Sequence, residues 1–196
     1  MKAIPPRNVT LGQFTLAFVP WGLAAAFALM WPEITQSLDL NRTKATIWAT
    51  SILLIPALVL FPFRSASLRV ANLAHLYWTF AYLMFLLHAW WAVFVIFHGI
   101  RDTFVQMGTP IAGLNFLLVL WWGLDVVLLW TVRSQSPRMA RFQWATRAFT
   151  FLVFALTLIV LRGGPARMLG YVFLAAVVLA LAVRTWARDR LDYARA

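Results

Sequence analysis

Cysteine is absent from the 196-residue chain, which excludes disulfides, thiolate metal sites, iron–sulfur clusters and cysteine nucleophiles. Charge is scarce as well: 12% of the residues are Asp, Glu, Lys or Arg, against about 25% in soluble proteins. So little charge cannot cover a water-facing surface, so most of the surface is expected to face lipid. Acids number six against 17 Lys and Arg, and histidines number three. No acid pair is clustered for a two-metal site, and neither HExxH nor GxSxG occurs. Intramembrane metalloprotease and serine-hydrolase chemistry are therefore disfavoured, and no metal site is expected. Heptads, internal repeats and low-complexity tracts are missing too.

What remains is apolar sequence: 63% hydrophobic residues and a mean hydropathy of +0.79. It falls into six runs, at 14–31, 47–63, 70–98, 111–132, 144–161 and 166–183, followed by a basic tail at 184–196. A membrane-spanning helix needs about 20 apolar residues, so the pattern predicts one all-α bundle of six transmembrane helices. Pro20 and Pro56 fall inside the first two runs, where neighbouring helices can satisfy the freed carbonyls. The first run exceeds a signal-peptide core and is read as a retained helix. The third run holds all three histidines and spans 29 residues, about 43 Å as a helix, so it is expected to cross with a tilt.

A net charge of +11 in a soluble chain would point to nucleic acid. In a membrane chain the positive-inside bias accounts for it, and no nucleic-acid partner is expected. With both termini on one side, that side carries twelve of the 17 Lys and Arg, which predicts an N-in, C-in orientation. Compact size, short loops and abundant Arg and Trp suggest a bacterial inner membrane. Trp31, Trp48, Trp78, Trp130, Trp144 and Trp186 are placed near span ends, at headgroup depth. Trp90, Trp91, Trp121 and Trp122 are placed deeper, as packing residues.

Asp125 carries the strongest single signal. A carboxylate within a span is costly and by default marks a function or a specific partner. Counting along antiparallel third and fourth runs puts His75 at a similar depth. The two are expected to meet, as a structural hydrogen bond or, second, as a proton relay. Asn72, His75, Thr79 and Tyr82 form a thin polar stripe along the third run, expected to hydrogen-bond between helices or, second, to line a quinone or lipid cavity. Arg133, Arg138, Arg141 and Arg147 could hold anionic lipid head groups.

His75 and His88 are 13 positions apart, about 20 Å along a helix. Membrane b-type cytochromes space two stacked haems in this way on each of two helices, with imidazole ligands. A cytochrome-b-like or ferric-reductase-like six-helix domain repeats the pair on a later helix, often the fifth. The fifth run here has no histidine, so the resemblance stops at architecture unless a second copy supplies the other ligands.

Three functions follow, in this order. The first is a non-catalytic subunit or assembly protein of a membrane complex, with a protein partner or a second copy in the bilayer. The second is a haem b or quinone-linked electron carrier using His75 and His88, which would make it a membrane oxidoreductase component. The third is a small proton-coupled transporter using Asp125.

Overall fold

The structure is a computed structural model that describes residues 8–30, 38–132 and 136–193, with side chains to residue 187. Among these residues the chain is all-helical: α1 (Leu11–Met30), α2 (Leu38–Leu60), α3 (Leu68–Trp90), α4 (Ile100–Met107), α5 (Thr109–Thr131), α6 (Pro137–Ile159) and α7 (Gly164–Tyr193). A 3-10 turn, Phe61–Phe63, extends α2, and a π-helical stretch, Trp91–Ile96, extends α3. Six of these segments are long and apolar enough to cross a membrane.

Helices α2, α3, α5, α6 and α7 form a ring closed by α7 against α2, and α1 packs outside across α2 and α3. The α2–α3 pair is the spine. Both helices bury small residues, Ala49 and Ala57 on α2 and Ala74 and Ala81 on α3, of the kind that let two backbones approach closely. Inside the ring lie Leu54, Trp78, Met84, Leu118, Trp122 and Phe154. Trp78 and Trp122 meet with ring centroids 4.6 Å apart. The outside is apolar as well, with Leu120, Leu156 and Leu179 more than half exposed.

Several boundaries differ from expectation, each for a local reason. Helix α2 starts at Leu38 rather than 47, although Asp39, Arg42 and Lys44 read as a polar loop. Thr43 and Thr46 hydroxyls donate to the Asp39 and Arg42 carbonyls, 2.8 Å each, so polar residues here remain helical. Helix α6 starts at Pro137 rather than 144, because Ser136 caps it by accepting from Met139 N–H at 3.2 Å. The segment expected as a loop after the third run contains α4. His98, at φ 61°, and Gly99, at φ 139°, end the π turn and redirect the chain into it. Phe104 of α4 then stacks on Phe116 of α5 at 5.4 Å. Most of the tail continues α7 as one 30-residue helix.

Side-chain contacts define the two ends of the bundle. Asn72 reaches Gln13, and Phe61 meets Trp144, so the starts of α1, α3 and α6 share an end with the finish of α2. At the opposite end Arg42 donates to the Leu29 carbonyl and the Trp91 indole to Asp39.

Candidate functional site

Asp125 lies on the inward face of α5 with Leu118, Trp122 and Leu129, spaced at helical intervals. It is fully buried, and its Oδ2 accepts from Trp78 Nε1 at 2.8 Å and from Arg147 Nη1 at 3.0 Å. Arg147, 2% exposed, projects from the buried face of α6 that also carries Gln143, Thr146 and Thr150. Its Nη1 also donates to the Gln143 carbonyl at 2.9 Å. Its guanidinium carbon lies 4.4 Å from the Trp78 ring centroid and 3.9 Å from that of Phe61. One carboxylate thus ties three helices, α3, α5 and α6, and the 3-10 turn after α2 contributes a ring to the same cluster.

The chemistry suits a clasp. A buried charge is tolerated when paired and hydrogen-bonded, and a desolvated guanidinium over an aromatic face gains about 2 kcal/mol. The order of groups is an indole, a guanidinium and a phenyl ring, with the carboxylate at the side of the indole and guanidinium. Phe61 carries a second cation: the Arg64 guanidinium carbon is also 3.9 Å from its centroid. Two guanidinium groups that close to one centroid fit only on opposite faces, so the stack extends to the end of the bundle.

Helices α3 and α5 do meet at Asp125, with the Trp78 indole and Arg147 as donors. His75 is buried one turn before Trp78 on α3. Trp78 itself is fully buried rather than at a span end, because it stands ten positions inside α3, which starts at Leu68. Arg147 is likewise no surface residue, as it would be for binding lipid head groups. Arg138 and Arg141 are exposed near the start of α6, and Arg133 lies outside the described residues.

Three members of the polar stripe, Asn72, Thr79 and Tyr82, make helix-to-helix contacts. Thr10 and Gln13 cap α1 reciprocally, through hydrogen bonds of 3.2 and 3.3 Å. Asn72 Nδ2 donates into that cap, to Gln13 Oε1 at 2.9 Å and the Asn8 carbonyl at 3.2 Å. Thr79 Oγ1 accepts from the Trp130 indole at 2.9 Å, and the Tyr82 hydroxyl donates to the Val119 carbonyl at 3.2 Å. The Tyr82 hydroxyl lies where a side chain on Gly123 would begin.

His88 sits towards the opposite end of α3. Its Nδ1 is 2.9 Å from the Thr43 carbonyl and 3.4 Å from Thr46 Oγ1. A carbonyl only accepts, so the proton is on Nδ1 and Nε2 keeps its lone pair. Trp91, expected deep, instead meets Asp39 and Arg42 at the helix end, with the Arg42 guanidinium carbon 5.3 Å from its ring centroid. Among the described residues no three His, Asp or Glu side chains converge as a metal site.

Sequence reasoning missed Arg147 because it was counted with the basic loop. The available signal was the spacing of Gln143, Arg147 and Thr150, which marks a polar face on an otherwise apolar helix. Compared with protein-family models, curated proteins and solved structures, the chain matches none.

Proposed function

We propose that the chain is a six-span protein of a bacterial inner membrane, with both termini cytoplasmic, acting as a non-catalytic subunit or assembly protein of a membrane complex. The observation that carries this is how the polar groups within the spans are used. Asp125, Arg147, Trp78, Asn72, Thr79 and Tyr82 all bond from one helix to another. Polar groups in lipid mark a site or a structural joint, and these are joints. The remaining surface is apolar and suited to lipid or to the spans of a partner. Purification in mild detergent followed by cross-linking tests the proposal. It predicts a stoichiometric partner, or a second copy, captured through the spans. A chain that remains a lone monomer under native extraction and cross-linking contradicts it.

One observation favours the electron-carrier alternative. Metal-ligating histidines usually donate the other ring N–H to a carbonyl or carboxylate, and His88 does this to Thr43, leaving Nε2 for an axial bond to haem b. Oxidised and dithionite-reduced absorption spectra decide: a reduced α-band lost in His88→Ala supports it, and a colourless preparation without extractable haem removes it. A transporter built on Asp125 would need the carboxylate to release Arg147 and Trp78 during its cycle.

A further inference from the structure

Two cavities meet at the start of α1. The first, about 330 Å³, opens between α1 and α3 and is lined by Thr10, Gly12, Gln13, Leu16, Arg69 and Leu73. The second, about 570 Å³, shares Gly12 and Leu16 with it and runs along the exposed face of α1, past Val19 to Pro20. A polar pocket with a cation in its wall thus passes into an apolar groove.

Helix α1 is fixed against α3 beside the pocket. Asn72 donates to Gln13 and to the Asn8 carbonyl. The Tyr77 hydroxyl donates at 2.9 Å to the Leu16 carbonyl, the one left over because Pro20 has no N–H. Arg69 is exposed, and its guanidinium makes no ion pair or hydrogen bond with another described residue. The Thr10–Gln13 cap occupies the N–H groups of those two residues, which leaves those of Leu11 and Gly12 to an outside acceptor. Gly12 has no side chain to screen its N–H, and the helix dipole adds positive potential there. Behind Gln13, Asn72 Oδ1 is buried without a partner, so it calls for a donor that the described residues do not supply.

The dimensions suit a lipid. Leu11 and Pro20 are nine positions apart, about 14 Å of helix, close to half of the roughly 30 Å hydrocarbon core. The groove therefore runs the depth of one leaflet, whereas a partner's transmembrane helix would need one along the whole of α1. We propose that this site binds one anionic phospholipid. Its phosphate lies at Arg69 and the start of α1, its head-group hydroxyls turn towards Asn72, and an acyl chain follows the groove from Leu16 to Pro20. The site rests on the membrane location proposed above and not on the partner, so failed cross-linking leaves it standing.

Native mass spectrometry of the full chain in non-ionic detergent tests this, with phosphatidylglycerol and phosphatidylcholine of identical acyl chains. The wild type is expected to bind phosphatidylglycerol about fivefold more tightly, the worth of one arginine near an anionic lipid. Arg69→Gln should remove most of that preference, and Arg141→Gln, an exposed charge on α6, should keep it. Gly12→Leu fills the junction of the two cavities. A Cβ at Gly12 meets nothing within 4 Å, so the melting temperature holds while binding of both lipids falls. Gly22 has the same open space but lines neither cavity, and Gly22→Leu should bind as the wild type does. An Arg69→Gln protein that keeps the preference, or a Gly12→Leu protein that binds both lipids normally, overturns the site. Equal losses in Gly12→Leu and Gly22→Leu overturn it too, as does a Gly12→Leu protein that loses a second copy instead of a lipid.

Discussion

Asp125 and Arg147 stand 22 residues apart in sequence and 3.0 Å apart in space, on neighbouring helices and out of reach of solvent. Their pairing decides how the ring of helices is held. Hydrophobic burial gives little preference for one helix arrangement over another in lipid, so close packing and interhelical hydrogen bonds must supply it. The Asp125–Arg147 pair, the Trp78 indole and the Phe61 ring supply both at one point.

Gly170 provides the second kind of contact. A Cβ there would come within 2.8 Å of Ile159 Cγ1 and 2.9 Å of Leu158 Cβ, where α7 lies against α6. Gly170→Ala is expected to force the two helices apart and to cost about 1–3 kcal/mol, the usual penalty of overpacking. Gly22, with open space at its Cβ position, should accept Ala with no loss. Melting temperatures of the two variants in one detergent check the contrast.

Tyr82 and Gly123 are expected to be coupled. Tyr82→Phe removes one hydrogen bond to the Val119 carbonyl, worth about 0.6 kcal/mol between membrane helices. Gly123→Ala displaces the hydroxyl and strains the ring against its neighbours, so it costs more. In the Tyr82→Phe background, Gly123→Ala should cost less than it does alone. A double-mutant cycle of unfolding free energies measures this, and strict additivity would show that the hydroxyl does not occupy that space.

The absence of native cysteine makes the orientation directly testable. Ser65 and Gln106 are exposed at opposite ends of the bundle, in the turn after α2 and in α4. With both termini cytoplasmic, an impermeant thiol reagent added outside intact cells labels Gln106→Cys and spares Ser65→Cys. Labelling of Ser65→Cys alone would mean the opposite orientation.

The six long helices were legible in the sequence because outward-facing and core-facing residues are both apolar, and run length alone marks a helix long and apolar enough to cross a membrane. The same uniformity hid the inward faces. Nothing in run 70–98 distinguishes Trp78 at the core from a tryptophan at an interface, since its sequence neighbours, Tyr77 and Thr79, suit either place. Helix starts were displaced wherever polar residues remained helical through back-bonded threonines, as at Thr43 and Thr46, or through a cap, as at Ser136. Helix α4 went unread because an eight-residue amphipathic segment resembles a polar loop. Asp125 was legible as a residue needing a partner. Its partner was not, because an arginine near a basic loop looks the same whether it faces water or the core.

Unfolding measurements on the Asp125–Arg147 pair test most directly the claim that the polar groups within the spans are structural joints. Removing one member of a buried pair strands the other charge, at a cost of about 3–5 kcal/mol, whereas replacing both with apolar groups can be nearly neutral. Thermal unfolding in detergent should therefore show Asp125→Asn and Arg147→Met strongly destabilised, and the Asp125→Leu, Arg147→Met double variant restored towards wild type. An Asp125→Asn protein that melts with the wild type would contradict the account and turn attention to Asp125 as a group that acts by changing its charge.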